Sequence, residues 1–225
     1  ESLSLTVNTQ PVMLTAGYAV YRAWRAAGGA EPSVVAGHSL GEYTALVATG
    51  ALRFDDGLRL VVERSSAMHE AGIAQPGTMA AVLGLDDEQV EVACRLADAD
   101  VWVANFNAPG QVVIAGSVAA VERAIALCKE AGAKRALPLP VSAPFHSSLM
   151  KPAAEQLQQA LAETVLASPI MPVINNIDVA VQTDADAIRD ALYRQAFGPV
   201  RWVECVKAMQ ARGANLLVEC GPGKV

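Results

Sequence analysis

The stretch Val34-Val35-Ala36-Gly37-His38-Ser39-Leu40-Gly41-Glu42-Tyr43 constrains the fold more than any other in the chain. Three apolar residues end at a glycine, and Leu40 to Thr49 read as a helix stopped by Gly50, so a buried strand turns sharply into a helix with Ser39 on the bend. That is the context of a nucleophile elbow, and it points to an α/β architecture. The spacing Gly37-x-Ser39-x-Gly41 has a steric reason: a bend this tight needs backbone positions free of Cβ crowding. The first N–H groups of the following helix then aim at whatever Ser39 attacks, which suits a developing oxyanion.

At 225 residues the chain is long enough for one large α/β unit or for a main unit carrying a smaller one. A net charge of -6 argues against a nucleic-acid groove, which needs a basic face. No apolar run reaches the roughly 18 residues of a membrane span, and the first residues lack a signal-peptide pattern. A soluble, cytoplasmic protein without nucleic-acid or membrane partners is expected, and a monomer. Cys94, Cys128, Cys205 and Cys220 are scattered in or beside apolar segments, as buried reduced thiols are. His38, His69 and His146 show no ligand spacing, so neither a metal nor a cofactor is expected.

Taken in order, the chain begins with a helix started at Pro11 that faces the core through Met13, Gly17, Val20 and Trp24 and ends at Gly28-Gly29. After the elbow, Asp55 caps a helix to about Ala71 in which Leu58, Val61, Val62 and Ser65 mark one face and Arg64 stands near the edge of the stripe. A snorkelling surface arginine fits that place. Residues 75–142 then read as strand (Met79 to Leu83), helix (from Asp86), strand (Val101 to Phe106), turn (Asn107 to Gly110), strand (Val112 to Ala115), helix (from Ser117) and strand (Ala136 to Val141). This is the split βαβ, or ferredoxin-like, order. The expected fold is a hydrolase-like larger domain with a parallel sheet, residues 1–74 and 143–225, carrying the ferredoxin-like unit as an insertion. The larger part resumes with a helix over Ser148 to Val165, a strand at Pro172 to Asn175, a helix from Asp184 or Asp186, another from Pro199 to Gly213, and a strand at Leu216 to Cys220. Both ends read as cut.

A serine hydroxyl needs a base within reach. His38 flanks the elbow serine and points away in such bends, and His69 lies in a polar helix end, which leaves His146 in a loop at the seam between the two units. No Asp or Glu is placed to orient it, Glu42 being on the elbow helix, so a Ser–His dyad fits better than a triad. Asn105, Asn107, Gln111, Asn175 and Asn176 are candidates for lining the cleft, although turn chemistry accounts for them as well. Lys129, Lys134 and Arg135 form a small basic cluster that reads either as a solvated face or as a docking patch for an acidic partner.

Several motifs fall in a telling order: Gly37-His38-Ser39-Leu40-Gly41-Glu42, Arg64, Asn105 to Gln111, Pro144-Phe145-His146-Ser147, Asn175-Asn176, Pro199-Val200-Arg201-Trp202 and Gly221-Pro222-Gly223-Lys224. Over its whole length the chain resembles the malonyl-CoA:acyl carrier protein transacylases of bacterial type II fatty acid synthesis. The resemblance implies Ser39 as the nucleophile that carries malonyl as an ester, His146 as general base, the Gln195 backbone carbonyl as the group that orients the base, and the Leu40 N–H as an oxyanion donor. It implies Arg64 as the receptor of the malonyl carboxylate, held against a pocket wall at Met68. Asn107, Asn176 and Phe145 are read from the residues themselves as further substrate contacts, Phe145 either narrowing the pocket or packing into the core. Malonyl-CoA and acyl carrier protein are the implied partners; on the docking reading of the basic cluster the carrier sits near Lys134 and Arg135. One departure stands out: the family begins with a strand and a Gly-Gln-Gly-Ser-Gln loop whose glutamine is the second oxyanion donor, and this sequence has neither. Loss of one such donor costs about a hundred- to a thousandfold in turnover, so the chain alone is expected to be impaired. The rival readings are a serine hydrolase of thioesterase type and a non-catalytic carrier-binding piece.

Overall fold

The computed structural model describes residues 2–97, 99–141 and 143–222; Glu1, Ser142 and the Gly223-Lys224-Val225 end of the last motif lie outside the described residues. Helix α1 is Thr6–Ala26, strand β1 is Val35–Ala36, α2 is Leu40–Ala48 and α3 is Phe54–Ala74. Pro11 sits inside α1 rather than at its start. The helix begins earlier because a 3₁₀ turn at Ser2–Ser4 and the Leu5 carbonyl, which accepts from the Asn8 and Thr9 amides, start it upstream. Its buried stripe is Gln10, Leu14 and Gly17, while Met13, Val20 and Trp24 are 36%, 42% and 36% exposed, so the expected core face is rotated. The side of α1 that meets α2 and α3 is the one that brings Gln10 to Arg64.

Arg53 precedes helix α3 without a side-chain cap, and Asp55, expected as the cap, lies with Asp56 inside the first turn because the helix starts at Phe54; carboxylates there favour the positive end of the helix dipole. Leu60, Val61, Arg64, Ser65, Ala67, Met68 and Ala71 are buried and Val62 faces out. Arg64 therefore lies within the buried face and not at its edge.

Strands β2 (Thr78–Leu83), β3 (Val101–Ala108), β4 (Gln111–Gly116) and β5 (Arg135–Pro138) form an antiparallel sheet in the order β3-β4-β2-β5. Helices α4 (Asp87–Ala97) and α5 (Val118–Glu130) link β2 to β3 and β4 to β5. Val82, Val112 and Ile114 of the sheet share a core with Val90, Cys94, Val121 and Cys128 of the helices. Asp86 and Gln89 cap α4 reciprocally, each side chain accepting from the other's amide. The β3–β4 turn narrows to Pro109-Gly110, with Gly110 at φ +73°, a value that suits glycine at the second turn position. β5 stops at Pro138 instead of Val141, since prolines at 138 and 140 cannot donate to a ladder.

The rest of the chain returns to the first part. A 3₁₀ turn at Ser148–Met150 precedes α6, Lys151–Glu163, where a single helix to Val165 was expected; Pro152 fits only the first turn of a helix. β6 (Val173–Ile174) pairs parallel with β1, and α7 (Ala185–Gln195) is capped by Asp184, whose carboxylate accepts from the Asp186 and Ala187 amides. Pro199 does not begin a helix. Val200 instead bridges β3, donating to the Ala104 carbonyl at 2.8 Å and accepting from the Phe106 amide at 2.9 Å, and α8 starts only at Trp202–Ala211. Leu216 to Cys220 is not a strand: Leu216, Leu217 and Val218 are exposed, and no ladder partner faces them among the described residues. The parallel sheet is thus β1 and β6 alone among those residues. Leu14, Tyr43, Leu60, Met68, Met150, Leu157 and Leu192 build the core on which the elbow rests.

Candidate active site

The elbow is steric before it is chemical. A Cβ on Gly37 would lie 1.9 Å from the Gly41 carbonyl carbon, so the chain can cross itself there only through glycine. Ser39 is held at φ 51°, a left-handed value that costs a serine energy and that the surroundings must enforce. Asn176, fully buried just after β6, does so: its amide oxygen accepts from the Ser39 N–H at 2.7 Å and its amide nitrogen donates to the Gly37 carbonyl at 2.8 Å. Leu40 is the first residue of α2, so its N–H has no partner within the helix.

His146 also has a left-handed backbone, φ 57°, in a loop that Ser147 closes by donating to the Pro144 carbonyl. The imidazole Nδ1 lies 3.0 Å from the Gln195 carbonyl and 3.2 Å from the Gly198 carbonyl. Carbonyls only accept, so Nδ1 carries the proton and Nε2 is the acceptor. Nε2 stands 2.7 Å from Ser39 Oγ, whose hydroxyl donates to it. Burial first, and then the Arg64 charge, push the His146 pKa down to about 3, so the imidazole is neutral and its Nε2 lone pair is free to accept from Ser39. No carboxylate touches the ring among the described residues.

Arg64 is 2% exposed. It donates through Nη1 to Gln10 Oε1 at 2.5 Å, and through Nη2 to Ser39 Oγ and Gln195 Oε1, both at 3.1 Å. The Tyr43 ring lies 5.4 Å from its guanidinium carbon. None of these partners is an anion, and no salt bridge to Arg64 is present among the described residues. A buried cation hydrogen-bonded only to neutral groups is a costly arrangement that an incoming carboxylate would relieve.

The structure brings together Ser39, Leu40, Arg64, His146 and Gln195. Met68 is buried one turn beyond Arg64, with its sulfur 3.7 Å from Gln10 Nε2. Phe145 is half-buried and packs against the main core and the underside of the small sheet. Asn107 Oδ1 lies 2.8 Å from Nε2 of His38, whose ring packs edge-on against Trp202. Lys134 and Arg135 are exposed at the edge strand β5. Three groups escaped sequence reasoning: Gln10, Glu42 and the Gln195 side chain. Gln195 Nε2 donates to the Ser39 carbonyl at 2.9 Å and to Glu42 Oε2 at 3.0 Å, while Glu42 is buried on α2 and held up to about 7 by that burial. A polar residue in a buried helical stripe was the available signal for Gln10 and Glu42.

A serine on a strained bend with a neutral imidazole at hydrogen-bond distance is the arrangement of serine-dependent acyl transfer. The chain belongs to the acyl transferase domain family, which it matches over residues 1–223. It is 54% identical over 227 residues to the malonyl CoA-acyl carrier protein transacylase of Escherichia coli K12, covering 100% of the chain and 74% of that protein. With the enzyme of that name from Bacillus subtilis 168 the identity is 46%. The crystal structure of an acyl-carrier-protein S-malonyltransferase from Burkholderia pseudomallei 1710b matches at 61% identity and a TM-score of 0.96, over 99% of this chain and 73% of that one. A type II PKS acyl-carrier protein in complex with its malonyl-transacylase matches at 49% identity and a TM-score of 0.95.

Proposed function

We propose that the chain transfers a malonyl group from malonyl-CoA to the pantetheine thiol of acyl carrier protein, for fatty acid synthesis, through an ester on Ser39. The observation that carries this reading is the triangle at the serine: His146 Nε2 at 2.7 Å and Arg64 Nη2 at 3.1 Å from one oxygen. His146 takes the Ser39 hydroxyl proton as Oγ bonds to the thioester carbonyl. The C–S bond then breaks, and CoA leaves as its thiol with that proton. In the second half, His146 takes the proton of the carrier thiol, the sulfur attacks the malonyl ester, and Ser39 leaves with the proton restored. The Leu40 N–H stabilises both oxyanions. The Gln195 and Gly198 carbonyls replace the acid of a triad by fixing the imidazole tautomer. Arg64 pairs its planar fork with the free malonyl carboxylate, exchanging neutral partners for an anion.

The same reading makes residues 75–142 a ferredoxin-like unit inserted into a larger one, residues 1–74 and 143–225, with Phe145 and Asn107 lining the seam and Asn176 serving the elbow backbone. Lys134 and Arg135 offer a cationic edge to an acidic carrier on a chain of net charge -6. A CoA substrate is in keeping with a cytoplasmic setting. Incubation with malonyl-CoA followed by intact mass spectrometry tests the reading. We expect a stable adduct of one malonyl group, absent in Ser39→Ala; free malonate with no adduct at early times would instead mean a hydrolase.

A further inference from the structure

The carboxylate of Glu42 has no part in the mechanism above, yet it is 2% exposed at the centre of the site. Its Oε2 accepts two hydrogen bonds, from the Asn176 backbone amide at 2.9 Å and from Gln195 Nε2 at 3.0 Å. Each donor belongs to a residue that holds a reacting group. Asn176 carries the Ser39 N–H and the Gly37 carbonyl on its side chain. Gln195 carries His146 on its main-chain oxygen and Arg64 on its side-chain oxygen, 3.0 Å and 3.1 Å away.

The Gln195 amide can occupy this place in one sense only. Its nitrogen faces two acceptors, Glu42 Oε2 and the Ser39 carbonyl, and its oxygen faces the Arg64 guanidinium. Turned over, it would set an NH2 against a guanidinium and an oxygen against two oxygens. With the acid removed, one side of this constraint falls to the Ser39 carbonyl alone and the Asn176 amide is left buried without an acceptor, which is the costly half of any broken hydrogen bond.

We infer that Glu42 is a positioning residue: through Gln195 and Asn176 it sets the base, the carboxylate-binding arginine and the elbow in one register. The inference rests on the acyl-transfer reading above. Only acceptor geometry is required of Glu42. Burial dominates its surroundings, against the Gln195 and Asn176 hydrogen bonds and the Arg64 charge, and the carboxyl is held near neutral, so a neutral amide oxygen reproduces what the fold uses.

The test compares rates of Ser39 acylation by malonyl-CoA and by acetyl-CoA in wild type, Glu42→Ala, Glu42→Gln and Gln195→Met. The malonyl-to-acetyl ratio is independent of how much of a preparation is folded. Glu42→Ala should lower malonylation and cut the ratio, each roughly tenfold, the size of coupling that contacting polar groups show. Gln195→Met, which keeps the backbone carbonyl and removes the amide, should cut the ratio to the same extent, and Glu42→Gln should stay within about threefold of wild type. An unchanged ratio in Glu42→Ala, or a Glu42→Gln protein as impaired as Glu42→Ala, overturns the inference. Wild-type adduct formation in the same assay reports separately on the acyl-transfer reading.

Discussion

Arg64 concentrates the specificity argument in one side chain. It touches the nucleophile itself, and every group that receives its protons is neutral. A hydrogen bond to a charged partner is worth about 1.5–3 kcal/mol, and a bidentate pair sits at the upper end. Arg64→Ala should therefore lose malonyl transfer by roughly a hundredfold while acetyl transfer changes far less. Arg64→Lys keeps the charge without the fork and should fall between. Parallel rate measurements with the two thioesters decide it, and an equal loss of both would remove the carboxylate role. At this scale the sequence was legible where the signal was local. Ser39 declared itself by its neighbours, and His146 followed by elimination among three histidines. The burial of Arg64 did not, because it depends on Gln10, 54 positions away, and on Gln195, 131 positions away.

Among elements, the elbow turns on one of its two glycines. A Cβ at Gly37 would meet backbone at 1.9 Å, whereas a Cβ at Gly41 meets nothing within 4 Å. The expectation that both glycines relieve the same crowding is half right: Gly37 is the residue without room, and Gly41 is what occupies that room. Gly37→Ala must push α2 off the end of β1 and should destabilise by 3 kcal/mol or more, on the order of the largest packing effects. Gly41→Ala should be neutral or stabilise by about 0.5–1 kcal/mol, the helix preference of alanine over glycine. Urea midpoints for the two variants make the comparison, and similar losses in both would contradict it. The elements misread from sequence share a cause. Local composition alone reads Pro199-Val200 as a helix start and Leu216 to Cys220 as a strand, but whether a short apolar run becomes strand, bridge or coil depends on which edge it meets. Val200 meets β3, and Leu216 to Cys220 meets no edge among the described residues.

For the whole molecule, the two buried titrating groups of the site set opposing slopes on stability. His146 has its pKa lowered from 6.5 to about 3 in the folded state. As pH falls below 6.5 the unfolded chain binds that proton first, so the His146 contribution is complete above 6.5 and is lost progressively toward 3. Glu42 has its pKa raised from 4.5 to about 7. As pH rises above 4.5 the unfolded chain releases that proton first, so the Glu42 contribution is complete below 4.5 and is lost toward 7. Each slope is about 1.4 kcal/mol per pH unit where one proton separates the two states. Between pH 4.5 and 6.5 the slopes have opposite sign and nearly cancel, so these two groups leave wild-type stability flat there. Removing the acid exposes the other slope: Glu42→Gln should become more stable as pH rises through this window, by about 1.4 kcal/mol per unit. His146→Gln should become less stable over the same window by a similar amount. Urea unfolding of the three proteins at pH 4.5, 5.5 and 6.5 separates the terms, and parallel lines for wild type and Glu42→Gln would mean that the buried carboxyl does not hold its proton across this window.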